Sequence, residues 1–304
     1  MKRVELLAPA GDLKRLKVAV DYGADAVFIG GKQFSLRAKA SNFDLDEIAE
    51  GAAYCHAHNA HLHVTVNIIP HTDDFEGLIA YLQDLERVQV DAIIVASMTI
   101  VDLAKRFAPK LQVHVSTQES STNSYAVDFW KRRGADRVVL GRECTLEEVK
   151  SLIDHTDVPI ETFIHGGMCT NYSGRCTLSN YMTLRDANRG GCAQSCRWRY
   201  DLFKEGEKIS TAAIPFTMSS KDLNAAPYVY DLIQAGVASF KIEGRMKTDY
   251  YIASVVSSYR GLIDAIESGS YTPAVLEGAQ RNLRMSENRE TSTGYYGGTP
   301  KQEG

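Results

Sequence analysis

The chain has 304 residues, 44% of them hydrophobic and 24% charged, with a formal net charge of −4. That length and apolar content suffice for one large domain or two ordinary ones and exclude a disordered polar chain. The slight acidity excludes a surface that binds nucleic acid uniformly, so any site for a polyanion has to be local. No run approaches the roughly 18 apolar residues of a membrane span, and the opening MKRVELLAPAGDLKRL lacks a signal-peptide core. A cytoplasmic protein without membrane contact is expected.

In chain order, apolar strand-like runs occur at 4–10, 26–31, 61–69, 92–97, 112–117, 137–142, 159–166 and 239–245. Between them lie segments such as DLKRLKVAVDYGA, DDFEGLIAYLQDLERV, SYAVDFWKRRGA and LEEVKSLIDHT, whose apolar positions recur at the i, i+3, i+4 spacing of helices. Gly23-Ala24, Gly134-Ala135 and Gly236 close helices just before strands. Eight strands interleaved with helices predict an α/β fold, a (β/α)8 TIM-like barrel over 1–268. An open doubly wound sheet is disfavoured, because no Gly-x-Gly-x-x-Gly follows the first strand.

In such barrels the chemistry sits at the C-terminal ends of the strands. Polar residues gather there: Arg37 after strand two, Asn67 at the end of strand three, and Ser116, Thr117 and Gln118 after strand five. Arg142 and Glu143 follow strand six, His165 ends strand seven, and Lys241, Glu243 and Arg245 line strand eight. All are expected to share one pocket. Arg37, Asn67, Gln118, Arg142 and Arg245 read as substrate-binding groups, since guanidinium forks suit an anionic ligand. His165, Lys241 and Glu243 are the catalytic candidates, His165 for proton transfer. Lys241 and Glu243 also fit an interior ion pair, because residues two apart on a strand share a face. His114 alternates with apolar residues and is either a core histidine or a site residue. His56, His58, His61 and His63 straddle a helix–strand junction and read as surface groups rather than ligands.

The insertion after strand seven, 167–215, carries Cys169, Cys176, Cys192 and Cys196 within 28 residues, beside several glycines that let the chain turn. Cys55 and Cys144 stand alone and read as buried or dispensable thiols. Four close cysteines in a reducing compartment point to metal ligation rather than disulfides. Their spacing, Cys-x6-Cys-x15-Cys-x3-Cys, has a wider first gap than paired zinc ligands show. Thiolates suit zinc and a [4Fe–4S] cluster alike, and the spacing favours the cluster.

From Arg175 to Tyr200 the insertion holds five arginines and one acid, Asp186, a balance of +4. Tyr172, Tyr181, Trp198 and Tyr200 interleave with them; such aromatics either stack bases beside neutralised phosphates or pack the insertion onto the barrel, Trp198 fitting both equally. Arg185, Arg189 and Arg199 are the candidate RNA contacts. The chain has no His-Glu-x-x-His, no Gly-x-Ser-x-Gly, no Walker loop and no Cys-x3-Cys-x2-Cys.

ETFIHGGMCTNYSGRCTLS resembles the signature of the U-32, or collagenase-like, peptidase family. LLAPAG, YGADAVFIGG, SLRAKASNF, VNIIPH, VSTQ and FKIEGRMK resemble its other blocks in order, over roughly residues 4–265. The resemblance implies a [4Fe–4S] cluster on the four clustered cysteines. It also implies oxygen-independent hydroxylation of a tRNA wobble uridine to 5-hydroxyuridine, drawing on prephenate, with tRNA and a longer family paralogue as partners. The alternatives are a metal-stabilised accessory or RNA-binding subunit and a protease, for which the sequence offers no constellation. Longer members continue into a small β domain, so 269–304 is expected to be a tail leading toward it.

Overall fold

The computed structural model describes residues 3–36, 42–211 and 215–298. Seven parallel strands come first: β1 (Glu5–Pro9), β2 (Ala26–Gly30), β3 (His61–Val66), β4 (Ala92–Val95), β5 (Gln112–Val115), β6 (Arg137–Val139) and β7 (Ile160–Gly166). Helices α1 (Leu13–Asp21), α2 (Leu45–Ala57), α3 (Leu78–Arg87), α4 (Met98–Phe107), α5 (Ser124–Arg132) and α6 (Leu146–Asp154) separate them. After β7 the chain forms a cap containing α7 (Leu178–Thr183) and a hairpin of β8 (Phe203–Lys204) and β9 (Glu207–Lys208). It returns through β10 (Asp222–Asn224) and α8 (Val229–Gln234) to β11 (Ser239–Ile242), the eighth barrel strand. β11 pairs in parallel with both β1 and β7 and so closes the barrel. The (β/α)8 expectation is met.

Local chemistry sets the helix boundaries. Asp12 and Asn123 accept hydrogen bonds from the first-turn amides of α1 and α5, and Asp44 with Glu47, and Thr145 with Glu148, form reciprocal caps on α2 and α6. Gly23 and Gly134 close α1 and α5 at φ 103° and 89°, conformations that an L side chain resists. The outward faces of the strands and the inward faces of the helices form one continuous core, including Leu6, Ala8, Leu62, Val64 and Phe240. Inside the barrel the apolar layer is small: Leu7, Ala26, Phe28 and Ile94.

After β11 come α9 (Asp249–Glu267), α10 (Pro273–Arg284) and β12 (Thr291–Ser292). The described part of the C-terminal segment is no free tail. α10 lies on α9, β12 adds to β10, and the Tyr296 hydroxyl donates to the Phe163 carbonyl at 2.6 Å. Among the described residues no helix is long and apolar enough to cross a membrane.

Candidate active site at the barrel mouth

A cavity of about 590 Å³ lies between the C-terminal ends of the strands and the cap. Asn67, Gln118, Arg142, Lys241, Glu243 and Arg245 all line it, as expected, together with Cys169, Cys176, Cys192 and Cys196. Arg37 lies outside the described residues.

His165 does not join them. The pairing of β7 with β11 slips by one residue, so that Lys241 faces Phe163 but Ile242 faces His165. Such a bulge reverses which face a side chain takes. His165 therefore follows Ile242 outward, where its Nδ1 meets the Tyr259 hydroxyl of α9 at 3.2 Å and its ring lies beside Tyr251. Burial, with Lys247 adding to it, pushes its pKa down to about 3. A neutral imidazole outside the cavity has no route to proton transfer there, which corrects the assignment made from strand position.

Lys241 is almost fully buried on the cavity floor and pairs with Glu161 at 2.8 Å, not with Glu243. Its ammonium also lies 4.6 Å from the centre of the Phe28 ring. Burial pushes the Glu161 carboxyl up, but Lys241 and Arg137 together hold it below its ordinary value. Beneath, Arg137 reaches Glu5 at 2.5 Å and Glu161 at 3.1 Å, and Ser239 donates to Glu5 at 2.8 Å. His63 and His114 are buried edge to face beside this network, their ring centres 4.8 Å apart. His114 is thus a core histidine, and His63, unlike His56, His58 and His61, is not at the surface. Glu161 was the legible signal that sequence reading passed over: a lone acid inside the apolar run PIETFIHG.

The walls carry cations of two kinds. Arg245 is buried and committed, donating to Thr65 Oγ1 at 3.0 Å and to the Leu36 carbonyl. Arg142 stacks on Phe163, 3.6 Å from the ring centre, and has no ion-pair partner among the described residues. Arg185 lines the cavity equally unpaired. On the wall below the cap, Asn67 donates to Gln118 at 2.8 Å.

The cap is fastened where it meets the barrel. Glu143 accepts the Ser173 amide at 2.8 Å and its hydroxyl at 3.0 Å. Gly174 sits so close to the Gln118 backbone that a Cβ would overlap its carbonyl oxygen. Arg189 pairs with Asp74 at 2.6 Å and meets His71 Nδ1 at 2.7 Å, tying the cap to the loop after β3. Of the three candidate RNA contacts, Arg189 is thus a fastener, Arg185 a cavity wall, and Arg199 an exposed surface cation. Tyr181 and Trp198 are exposed on the same cap.

The thiols converge. Cys169 is exposed at the cap surface, but the protein packed around its thiol desolvates it and pushes it up; Arg142 pulls it back, and Cys192, Glu243 and Cys176 add to the rise. Cys196 is likewise raised by burial, opposed by Arg197 and raised further by the other three sulfurs. Asn171 Nδ2 lies 3.0 Å from Cys176 Sγ, a donor placed to satisfy a thiolate. Arg197 donates to the Met168 carbonyl at 3.1 Å, linking the arms that carry Cys169 and Cys196. Among the described residues no three His, Cys, Asp or Glu side chains are set to hold a single metal ion. Cys55 and Cys144 are buried with their thiols pushed up to about 12, inert as expected.

Fold and site together define a TIM-like barrel whose mouth is closed by a cysteine-bearing cap. The chain belongs to peptidase family U32, whose family model matches residues 11–304. It is 47% identical over 307 residues to tRNA hydroxylation protein P1 of Bacillus subtilis (strain 168), across 99% of this chain and 73% of that protein. It is 40% identical over 264 residues to the 23S rRNA 5-hydroxycytidine C2501 synthase of Escherichia coli (strain K12), across 87% of this chain and 40% of that one. Among solved structures it resembles a U32 peptidase with a TM-score of 0.53 at 13% identity, over 79% of this chain and 93% of that one, a likeness that bears on fold alone.

Proposed function

We propose that this chain is an RNA-modifying enzyme of the U32 family that hydroxylates a pyrimidine of RNA. Its relatives named for tRNA hydroxylation and for rRNA 5-hydroxycytidine synthesis support that class of reaction. The finer reading is that it converts a tRNA wobble uridine to 5-hydroxyuridine in the cytoplasm without molecular oxygen, using prephenate and a [4Fe–4S] cluster. The observation that carries it is the meeting of four thiols with Arg142 and Arg185, which have no ion-pair partner among the described residues, on one cavity.

Cys169, Cys176, Cys192 and Cys196 would hold the cluster. Four thiolates side by side repel one another, and a shared metal group removes that cost. Zinc would draw all four sulfurs to about 2.3 Å from one centre. A four-iron cluster spreads its ligands more widely, and when bound it supplies electron-transfer chemistry beside the substrate.

The chain's own residues do the rest. Arg142 and Arg185 are placed to take the carboxylates of a dianion such as prephenate, and Lys241, held by Glu161, adds positive charge at the floor. Arg199, with Tyr181 and Trp198, presents a cation and stacking faces to a looped-out RNA. The protease alternative lacks support from this geometry: no histidine among the described residues lines the cavity, so its serines have no imidazole base.

Protein purified under strict anaerobiosis should be brown and hold iron and sulfide, and substituting any of the four cysteines by Ala should leave it colourless. Stoichiometric zinc without iron would overturn the cluster. Mass spectrometry of tRNA nucleosides from cells lacking the gene separates enzyme from accessory subunit. An unchanged level of 5-hydroxyuridine derivatives would remove the tRNA reading.

A further inference from the structure

The amide of Gln118 has an orientation that follows from the backbone. The Leu36 amide, which can only donate, reaches Asn67 Oδ1 at 3.2 Å. Asn67 must then turn its Nδ2 the other way, where it donates to Gln118 Oε1 at 2.8 Å. The Ser116 hydroxyl donates to the same oxygen at 3.2 Å. Both acceptor positions of that carbonyl are filled, so Nε2 is left as the free end of the side chain. Gln118 is buried but lines the cavity, and among the described residues nothing in the protein accepts from Nε2, which is not sealed from the cavity. Of the other cavity amides, Asn171 donates to the Cys176 sulfur and Asn188 to the Cys176 carbonyl, whereas Gln194 is exposed on the cap.

We propose that Gln118 is a specificity-determining residue whose donor-only face selects a carbonyl on the ligand, the O4 of uracil over the N4 amine of cytosine. The inference rests on the reading of the protein as a pyrimidine-modifying enzyme. Uracil and cytosine differ most at position 4, directly beside the carbon to be hydroxylated, where one presents an acceptor and the other two donors. A fixed donor facing an amine leaves both groups unmade in a confined site, and that penalty is the basis of rejection. Carboxylates of a small dianion have charged partners in Arg142 and Arg185, which bind them more strongly than a neutral amide does.

The test uses the full chain, prepared anaerobically, and two labelled stem-loop RNAs that differ only in one unpaired pyrimidine, U or C. The parent should bind the U loop on the order of tenfold more tightly. Asn67→Asp keeps an oxygen for the Leu36 amide but replaces the donor to Gln118 with an acceptor. Gln118 must then turn over, donate to the new carboxylate and present Oε1 to the cavity, shifting preference toward the C loop. Gln118→Glu reaches the same acceptor face by a second route and retains the contacts from Asn67 and Ser116. Iron content and succinate binding report that the fold and the cationic wall survive in each variant. Equal binding of the two loops by the parent, or an unshifted U preference in both variants, overturns the proposal. Variants that lose only succinate affinity overturn it in favour of a role toward the dianion. A parent that binds neither loop while still binding succinate refutes the RNA reading itself.

Discussion

The floor and the mouth of this barrel are both charged, and they treat their charges in opposite ways. At the floor Glu5, Arg137, Glu161 and Lys241 form a closed chain of ion pairs, with Ser239 filling a further position on Glu5. At the mouth Arg142 lies on the face of Phe163, and neither it nor Arg185 has an ion-pair partner among the described residues. Taking an ion out of water costs several kcal/mol, which only a well-placed partner offsets. The floor meets that condition internally. The mouth leaves it for a ligand to meet, and its guanidiniums remain half-solvated until an anion arrives. Partnered charge here marks stability, and unpartnered charge marks binding.

Breaking the floor should have the largest effect. Glu161→Gln leaves Lys241 and Arg137 buried with half their compensation gone, and should lower stability by about 3–5 kcal/mol. Urea denaturation followed by circular dichroism measures it, and a loss under about 1 kcal/mol would mean that the floor is wetter than its geometry implies.

Acid should act on the buried histidines before it reaches the carboxylates. Burial lowers His63 to about 4, His165 to about 3 and His114 well below its ordinary 6.5. A depressed histidine binds its proton more readily when unfolded. Its stabilising contribution is therefore complete above pH 6.5 and is lost as pH falls toward the folded value. Each such histidine should cost up to about 1.4 kcal/mol per pH unit on that descent. Glu5, lifted by burial but brought down to about 2 by His63 and Arg137, adds its own loss only below its ordinary 4.5. The denaturation midpoint should thus begin to fall between pH 6.5 and 5, and His165→Gln should flatten that part of the profile. An unchanged slope in the variant would show that His165 does not titrate with unfolding.

At the mouth the order of effects reverses. Arg142→Met keeps bulk over Phe163 but removes the charge, so stability should move by less than about 1 kcal/mol. Dianion affinity should fall by about 2 kcal/mol, the usual worth of a charge-assisted hydrogen bond. Calorimetric titration with succinate checks both halves. Unaltered affinity would place the anion site elsewhere.

Much of this contrast was legible in the sequence, and the misses have physical causes. The rhythm of strands and helices fixed the barrel, because burial on both faces forces apolar runs of strand length. The cavity residues Asn67, Gln118, Arg142, Glu243 and Arg245 were found for a related reason: they stand just past the strand ends, where polarity resumes. The thiols announced themselves by density alone. His165 was misassigned because a one-residue slip in pairing leaves no mark in composition. Arg189 was taken for a free cation because its partners, His71 and Asp74, lie over a hundred positions away. Gln118 was legible as a site residue, but its amide orientation depends on a backbone donor from another loop.

The smallest expected effect separates the two arginines of the cap that sequence alone treats alike. Arg199 is exposed and has no ion-pair partner among the described residues, whereas Arg189 is engaged with Asp74 and His71. Loss of one phosphate contact lowers the magnitude of the salt slope of RNA affinity by about 1, at a cost of roughly 1 kcal/mol or less near physiological salt. Arg199→Ala should show that change with cap and cluster intact. Arg189→Ala should leave the slope as it is, because its guanidinium already answers to a carboxylate. Its effect should appear as faster proteolysis in the cap once the tie to the loop after β3 is cut. If instead Arg189→Ala flattens the slope and Arg199→Ala does not, RNA displaces Asp74 on binding, and the fastener is itself part of the interface.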